Sequence, residues 1–217
     1  LLTIATERER GRTAYRMLAE YVGGHGGPAR PGRPHSGRPG PPRLFIVHRL
    51  DRETSGLLVF AKSVAAKRRL QEQFEARTVE RRYVAVVEGA MREPEGTLRN
   101  VLRQDRNRKV RPTRDRAAGR EAITRYRVLQ RGAATTLLEL SLVTGRRGQI
   151  RVQLAELGHP IVGDHAYGAR HDPLRRLCLH ATRLAFGHPA GRRLTFESPA
   201  PGAFGALVRG GGRAPSS

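Results

Sequence analysis

The sequence predicts an α+β fold, several strands with a few helices packed on them. Short apolar runs of strand length recur along the chain. Two neighbouring stretches, Ala122–Leu129 and Thr135–Val143, alternate apolar and polar residues and pair naturally as antiparallel strands. Helical spacing is confined to a few stretches, and no internal repeat is present.

Taken in order, Thr13–Val22 reads as a short amphipathic helix with Tyr15, Leu18 and Val22 on one face. Residues 23–43 are dominated by Gly, Pro and Arg, bury little, and are expected to form a disordered basic loop. Leu44–Val47 is a compact strand and Leu57–Ala61 a second, buried one. Ser63 is suited to cap a helix running to about Phe74, with Leu70 and Phe74 inward. Tyr83–Val87 is strand-like, and residues 96–119 are polar and basic, read as loops or a weak hairpin. Gln149–Leu157 has Ile150, Leu154 and Leu157 on one helical face and is stopped by Gly158-His159-Pro160. Leu177–Leu179, Arg183–Phe186 and Leu194–Phe196 are short strands. Residues 1–204 form one expected domain, and 205–217 a disordered tail.

No run approaches the ~18 apolar residues of a membrane helix, and Leu1–Thr6 lacks the features of a signal peptide. The absence of an initiator Met suggests a chain trimmed at its N-terminus. A single cysteine, Cys178, excludes an internal disulfide and a cysteine-rich zinc site, in keeping with a reducing cytoplasm. Lys and Arg number 41 against 19 Asp and Glu, a net charge of +22 carried almost wholly by arginine. Guanidinium forks suit phosphate oxygens and base edges, so the balance favours a nucleic-acid partner. The bland alternative is a GC-rich coding sequence that writes Arg wherever Lys would serve.

Three islands carry candidate chemistry. Val47–Leu58 delivers a charged turn, His48-Arg49-Leu50-Asp51-Arg52-Glu53-Thr54, between two strands, where loops on a rigid scaffold commonly hold catalytic groups. Alone it reads equally as a surface turn. Arg81–Gly89 reads alone as a strand with a core tyrosine, Tyr83. Thr144–Arg151, followed by Gly158–Asp164 and Tyr167-Gly168, sets arginines around a helix start, a ready anion site or a solvated cap.

Together they are more specific. HRLDRETSGLLVFAK (residues 48–62) resembles the catalytic segment of the RluA-type RNA pseudouridine synthases. RRYVAVVEG, TGRRGQIRVQLAELGHPIVGDHAYG and RLCLHATRLAFGHPAGRRLTFESPAP resemble that family's later segments, in order, over nearly the whole chain. The resemblance implies the pseudouridine synthase core: a mixed, largely antiparallel sheet with flanking helices and a central catalytic cleft. It implies isomerisation of uridine within RNA, ribosomal or transfer, by a cytoplasmic monomer without cofactor or metal. It makes Asp51 the nucleophile, Tyr83 the residue stacked on the target base, and Arg151 the partner of Asp51. Arg49 takes the position that displaces the target nucleotide, and His48, Arg52, Thr54, Arg146, Gln149 and Leu179 complete the implied substrate contacts. Gly148 and Gln153 depart from the family, which commonly has His or Asn at the first position and His at the second.

Turning uridine into its C-glycoside requires cleaving the sugar–nitrogen bond, rotating the uracil and rejoining it through carbon 5, with no redox step. A carboxylate can attack the anomeric carbon or assist a glycal route, and the sequence leaves both open. The base must first leave its stack, at a cost of a few kcal/mol. His159, His165, His171, His180 and His188 match no common zinc spacing. A silent RNA-binding module and a base-releasing nucleosidase are the competing classes.

Overall fold

The structure, a computed structural model, describes residues 13–24, 44–106 and 109–210. Helix α1 (Ala14–Gly24) is capped by the Thr13 hydroxyl, which accepts from the Arg16 amide. It takes in Gly23 and Gly24, correcting the start of the expected loop, whose remainder lies outside the described residues. Strands β1 (Phe45–Ile46) and β3 (Phe60–Ala61) pair antiparallel beside β2 (Ser55–Gly56). Helix α2 (Val64–Glu75) starts where Ser63 accepts the Ala66 amide. Then come β4 (Glu80–Glu88), β5 (Glu95–Gln104), β6 (Val110–Pro112), β7 (Arg120–Arg131) and β8 (Thr135–Leu142). Helix α3 (Gln149–Glu156), β9 (Leu179–Gly187), β10 (Arg193–Glu197) and α4 (Gly202–Arg209) complete the chain.

The main sheet runs β10-β9-β4-β8-β7-β5-β6, every neighbour antiparallel, with β2 added parallel to β9. This is the mixed, largely antiparallel sheet expected. Its largest core brings Tyr83, Ala85 and Val87 of β4 together with Leu138 and Leu140 of β8 and Ile150 and Leu154 of α3. A second core packs Leu70 of α2 against Leu184 and Phe186 of β9. No helix among the described residues is long and apolar enough to cross a membrane.

Four expectations are corrected. The apolar run 57–61 is not one strand: Gly56, at φ +109°, lies so close to β9 that a Cβ would stand 2.3 Å from the Ala181 carbonyl oxygen. The chain therefore turns there and pairs twice, once on each side. Residues 96–119 do hold a hairpin, β5 pairing with β6, but its first arm is a full strand rather than a weak one, because Leu98 and Leu102 face inward while Arg99 and Arg103 face out. The alternation was present, masked by its charge. Leu157 caps α3 and is 44% exposed, rather than facing the core. The tail beyond residue 204 does not fray at once, since α4 buries Phe204 and Val208, one turn apart, in the main core. Residues 211–217 lie outside the described part.

That burial sets a test. Phe204→Ala should lower the unfolding free energy by about 3–5 kcal/mol, read by urea titration. A frayed tail would leave the midpoint unmoved.

Candidate active site

The Asp51 turn is fixed from both sides. Val47 and Leu50, just before it, are buried in different cores, which fixes the chain leading into the turn. The Thr54 amide donates to the Asp51 carbonyl at 3.0 Å, closing the turn, and Ser55 enters register opposite His180. Arg176 Nη2 donates to Ser55 Oγ at 2.6 Å. Ser55 Oγ also lies 2.7 Å from His180 Nδ1, and His180 Nε2 lies 3.2 Å from Ser198 Oγ, an arrangement a neutral ring satisfies with Nδ1 accepting and Nε2 donating. That assignment needs a neutral imidazole, and burial followed by the Arg176 charge lowers the His180 pKa accordingly.

His48 is also held neutral. Its Nε2 accepts the Val59 amide at 3.2 Å, and its ring stacks on Phe74 at 4.7 Å. Burial first, and Arg81 second, lower its pKa to about 4. Expected to touch substrate, His48 lines the cleft but spends its ring nitrogen on the backbone.

Tyr83 and Arg81 point to one face of β4, two residues apart. Opposite them the β4–β9 register shifts, Arg82 facing Arg183 but Tyr83 facing Ala181, so Thr182 is bulged out. Such bulges re-aim side chains beside functional clefts. Burial raises the Tyr83 pKa to about 12, the Arg81 charge opposing and the Asp51 charge adding to the rise. The phenol therefore stays protonated.

These residues open on one cavity of about 350 Å³. Among the expected site residues, Asp51, Tyr83, Arg49, His48, Thr54, Arg146, Gln149 and Leu179 line it. Arg52 and Arg151 do not line it, Arg52 being exposed. Arg81, Phe74 and Arg147 line it although the sequence reading passed over them. Arg81 was within reach of that reading, since the period of two sets it on the face of Tyr83. The Thr54 hydroxyl is buried without a hydrogen-bond partner and is free to take one from a ligand.

Two roles change. Arg151 does not pair directly with Asp51. Its Nε and Nη2 grip both oxygens of Asp164 at 2.7 and 2.6 Å, because that carboxylate, with no exposed side chain, requires a counter-charge. Burial works to lower the Arg151 pKa, yet hydrogen bonding and charge from Asp164, with Asp51 and Glu53, hold it above its ordinary value. Arg151 thus acts on Asp51 through space, and Asp164 is the residue the sequence reading quoted without assigning. Gln149 is structural: its oxygen accepts from Thr144 Oγ1 and the Arg146 amide, and its nitrogen donates to Ile123 O and Thr124 Oγ1, all within 3.0 Å. Thr124 passes the chain to Gln153 at 2.6 Å, which also donates to Leu98 and Ala122 carbonyls. The departure at Gln153 therefore lies in the interior, pinning α3 to the sheet.

Charge divides across the sheet. On the face away from the cleft, Arg82, Arg127, Arg183 and Arg193 interlock with Glu80, Glu139 and Glu197. Around the cleft, Arg49, Arg81, Arg146 and Arg147 have no ion pair among the described residues. Also among these residues, no group of three or more His, Cys, Asp and Glu side chains is placed to hold a metal.

A family model described as RNA pseudouridylate synthase matches residues 30–156. The chain is 42% identical over 160 residues to an uncharacterized RNA pseudouridine synthase, YhcT, of Bacillus subtilis, covering 71% of this chain and 52% of that one. It is 42% identical over 183 residues to ribosomal large subunit pseudouridine synthase D of Nitrosomonas europaea, covering 77% and 51%. It thus spans about half the length of these curated relatives. Human RNA pseudouridylate synthase domain containing 4 superposes with a TM-score of 0.66 at 26% identity, over 89% of this chain and 80% of that one.

Asp164→Asn should destabilise the fold by about 3 kcal/mol, since it leaves the half-enclosed Arg151 short of its counter-charge; chemical denaturation checks this. His48 gives a pH test. Its folded pKa is depressed, so the unfolded chain takes up protons first and stability falls as pH drops from about 6.5 through about 4. Between pH 7 and 4.5 the wild type should lose about 2–3 kcal/mol through this group alone. His48→Phe, less stable at neutral pH for want of an acceptor for the Val59 amide, should show a shallower pH slope.

Proposed function

Because the chain belongs to the RNA pseudouridylate synthase family, we propose that it isomerises uridine to pseudouridine in RNA, with Asp51 as the catalytic carboxylate. The observation that supports this most directly is the convergence of Asp51 and Tyr83 on one cavity of about 350 Å³, with Arg151 close enough to feel the Asp51 charge.

In this reading the everted uridine lays its uracil on Tyr83, which meets it as a neutral phenol able to donate but not to accept a proton at neutral pH. Asp51 attacks carbon 1 of the ribose, or assists loss of a ribose proton on the glycal route. The bond to uracil nitrogen 1 breaks and its electrons pass into the ring. The base turns over on the tyrosine, and carbon 5 bonds to carbon 1 as the carbon 1–Asp51 bond breaks and frees the carboxylate, or, on the glycal route, as the ribose takes back its proton. The proton on carbon 5 then leaves to solvent while nitrogen 1 takes one up, so no atom is gained or lost overall. Thr54 supplies a hydrogen bond to the bound nucleotide, and Arg49 on the cleft rim fills the space the base vacates. Arg151 and Arg146 add positive charge beside the reacting sugar and its phosphates. Large-subunit ribosomal RNA is the proposed substrate, because the relative from Nitrosomonas carries that substrate in its name. The proposed setting is the cytoplasm, and the proposed working unit a monomer.

The test uses RNA tritiated at carbon 5 of uridine. Label release by wild type and none by Asp51→Ala, with pseudouridine in the digest, is expected. Free uracil would point instead to a nucleosidase, and binding without release to a silent module.

A further inference from the structure

Beside the cleft lies a second cavity of about 410 Å³, sharing Val47, Phe74, Arg81, Gly145 and Arg146 with the first. Its other lining includes Arg77 and a single carboxylate, Glu75, an exposed residue of α2. Three guanidinium groups thus meet one acid.

Arg77 breaks a local rule. Helix α2 ends in a Schellman turn: the Thr78 amide donates to the Gln73 carbonyl at 3.0 Å and the Arg77 amide to the Phe74 carbonyl at 3.3 Å. The residue between cap and exit adopts φ +60°, where glycine is the unstrained choice, yet it is arginine. Strain retained at one position invites a functional reading.

Arg81 breaks another. Its guanidinium lies 5.5 Å from the centre of the Phe74 ring and against Gly145, where a Cβ would fall 2.3 Å from Nη1. Its Nε is buried with no hydrogen-bond partner, and no carboxylate pairs with it among the described residues. A half-buried cation without a counter-charge carries a desolvation cost that an arriving anion would offset. Arg146 completes the group: burial first, and the nearby Arg120 and Arg77 charges next, lower its pKa.

We infer that this cavity is a phosphate subsite, in which Arg77, Arg81 and Arg146 hold a backbone phosphodiester of the RNA strand next to the nucleotide in the Asp51 cleft. Planar forks match phosphate oxygens, and contacts of this kind set the register of a strand while the cleft reads the base. The inference rests on the proposed RNA substrate, but it concerns binding, and its test can fail separately.

The probe is a short fluorescein-labelled oligouridylate, titrated with the intact chain at increasing salt. Arg77→Gly should lower the slope of log affinity against log salt by about 0.7, the value for neutralising one phosphate fewer on a single strand. Its melting temperature should stay level or rise, because glycine relieves the left-handed strain; a merely structural arginine would not separate the two readings in that direction. Arg81→Lys, keeping the charge, should retain most of the slope while weakening affinity. Arg125→Ala, exposed on the other face of the sheet, should change neither. In the same oligonucleotide, replacing single linkages by neutral methylphosphonates should find one whose replacement weakens wild type but not Arg77→Gly. An unchanged slope for Arg77→Gly, or an equal fall for Arg125→Ala, overturns the subsite. If wild type releases no tritium from uridine while Arg77→Gly still shows the shallower slope, the subsite stands and the catalytic reading falls. Release with an unchanged slope removes the subsite alone.

Discussion

The ion pair between Asp164 and Arg151 is the interaction on which the site depends. A carboxylate sealed from water cannot stay charged without a partner, and both of its oxygens are met by one guanidinium. That bond joins α3 to the loop after it, and the Val162 amide donates to the Val86 carbonyl, so the loop is tied in turn to β4. Arg151 also lies 5.1 Å from the centre of the Tyr167 ring, which limits its rotation. The result is a positive charge fixed in place by residues that never face the cavity. Asp51 can then be left half-buried at the cavity, with a neighbouring cation whose position does not depend on it.

The same economy governs the sheet. Acidic residues are few in this chain, and Glu80 of β4, Glu139 of β8 and Glu197 of β10 lie on the face away from the cleft, where they interlock with Arg82, Arg127, Arg183 and Arg193. Exposed pairs of this kind contribute little stability individually. Their larger effect is to offset those four arginines, while Arg49, Arg81, Arg146 and Arg147 beside the cavity have no ion pair among the described residues. On the proposed reading, the unpaired guanidinium groups beside the cavity would draw an RNA strand toward Asp51.

Much of this was legible in the residues. The alternation of β7 and β8, the Ser63 cap and the apolar spacing within α3 are local signals, and local signals survive into the fold. The charged turn at Asp51 was equally plain, since apolar strands on either side could only leave it at an edge. What could not be read were demands set by tertiary burial. Nothing adjacent to Arg151 announces that Asp164 will be sealed from water and claim it. Gln149, expected to touch substrate, and Gln153, which stood only as a departure from the family, lie at 2% and 1% exposure, spending their amides on the sheet. Residues 205–209 looked weak because Gly and Arg flank them, and only the facing core gives Phe204 and Val208 somewhere to go. Charge masked β5 for the same reason: arginine dominates the composition while two leucines determine the pairing.

Residues that contradict their local environment gather around the cleft. Arg77 takes a glycine conformation, half-buried Arg81 has an Nε without a partner and no paired acid, the Thr54 hydroxyl lacks a partner, and β9 bulges opposite Tyr83. Each is a small loss of stability, of the sort natural proteins tolerate where function requires it. The compensation is close by. The chain of hydrogen bonds from Thr144 through Gln149 and Thr124 to Gln153 is fully satisfied and buried beneath the cleft wall. A rigid polar underlayer of that kind lets the surface above it keep unsatisfied donors at fixed positions. Were the underlayer loose, the Thr54 hydroxyl and the Arg81 Nε could shift to internal partners, and the open hydrogen-bonding capacity beside the cavity would be lost.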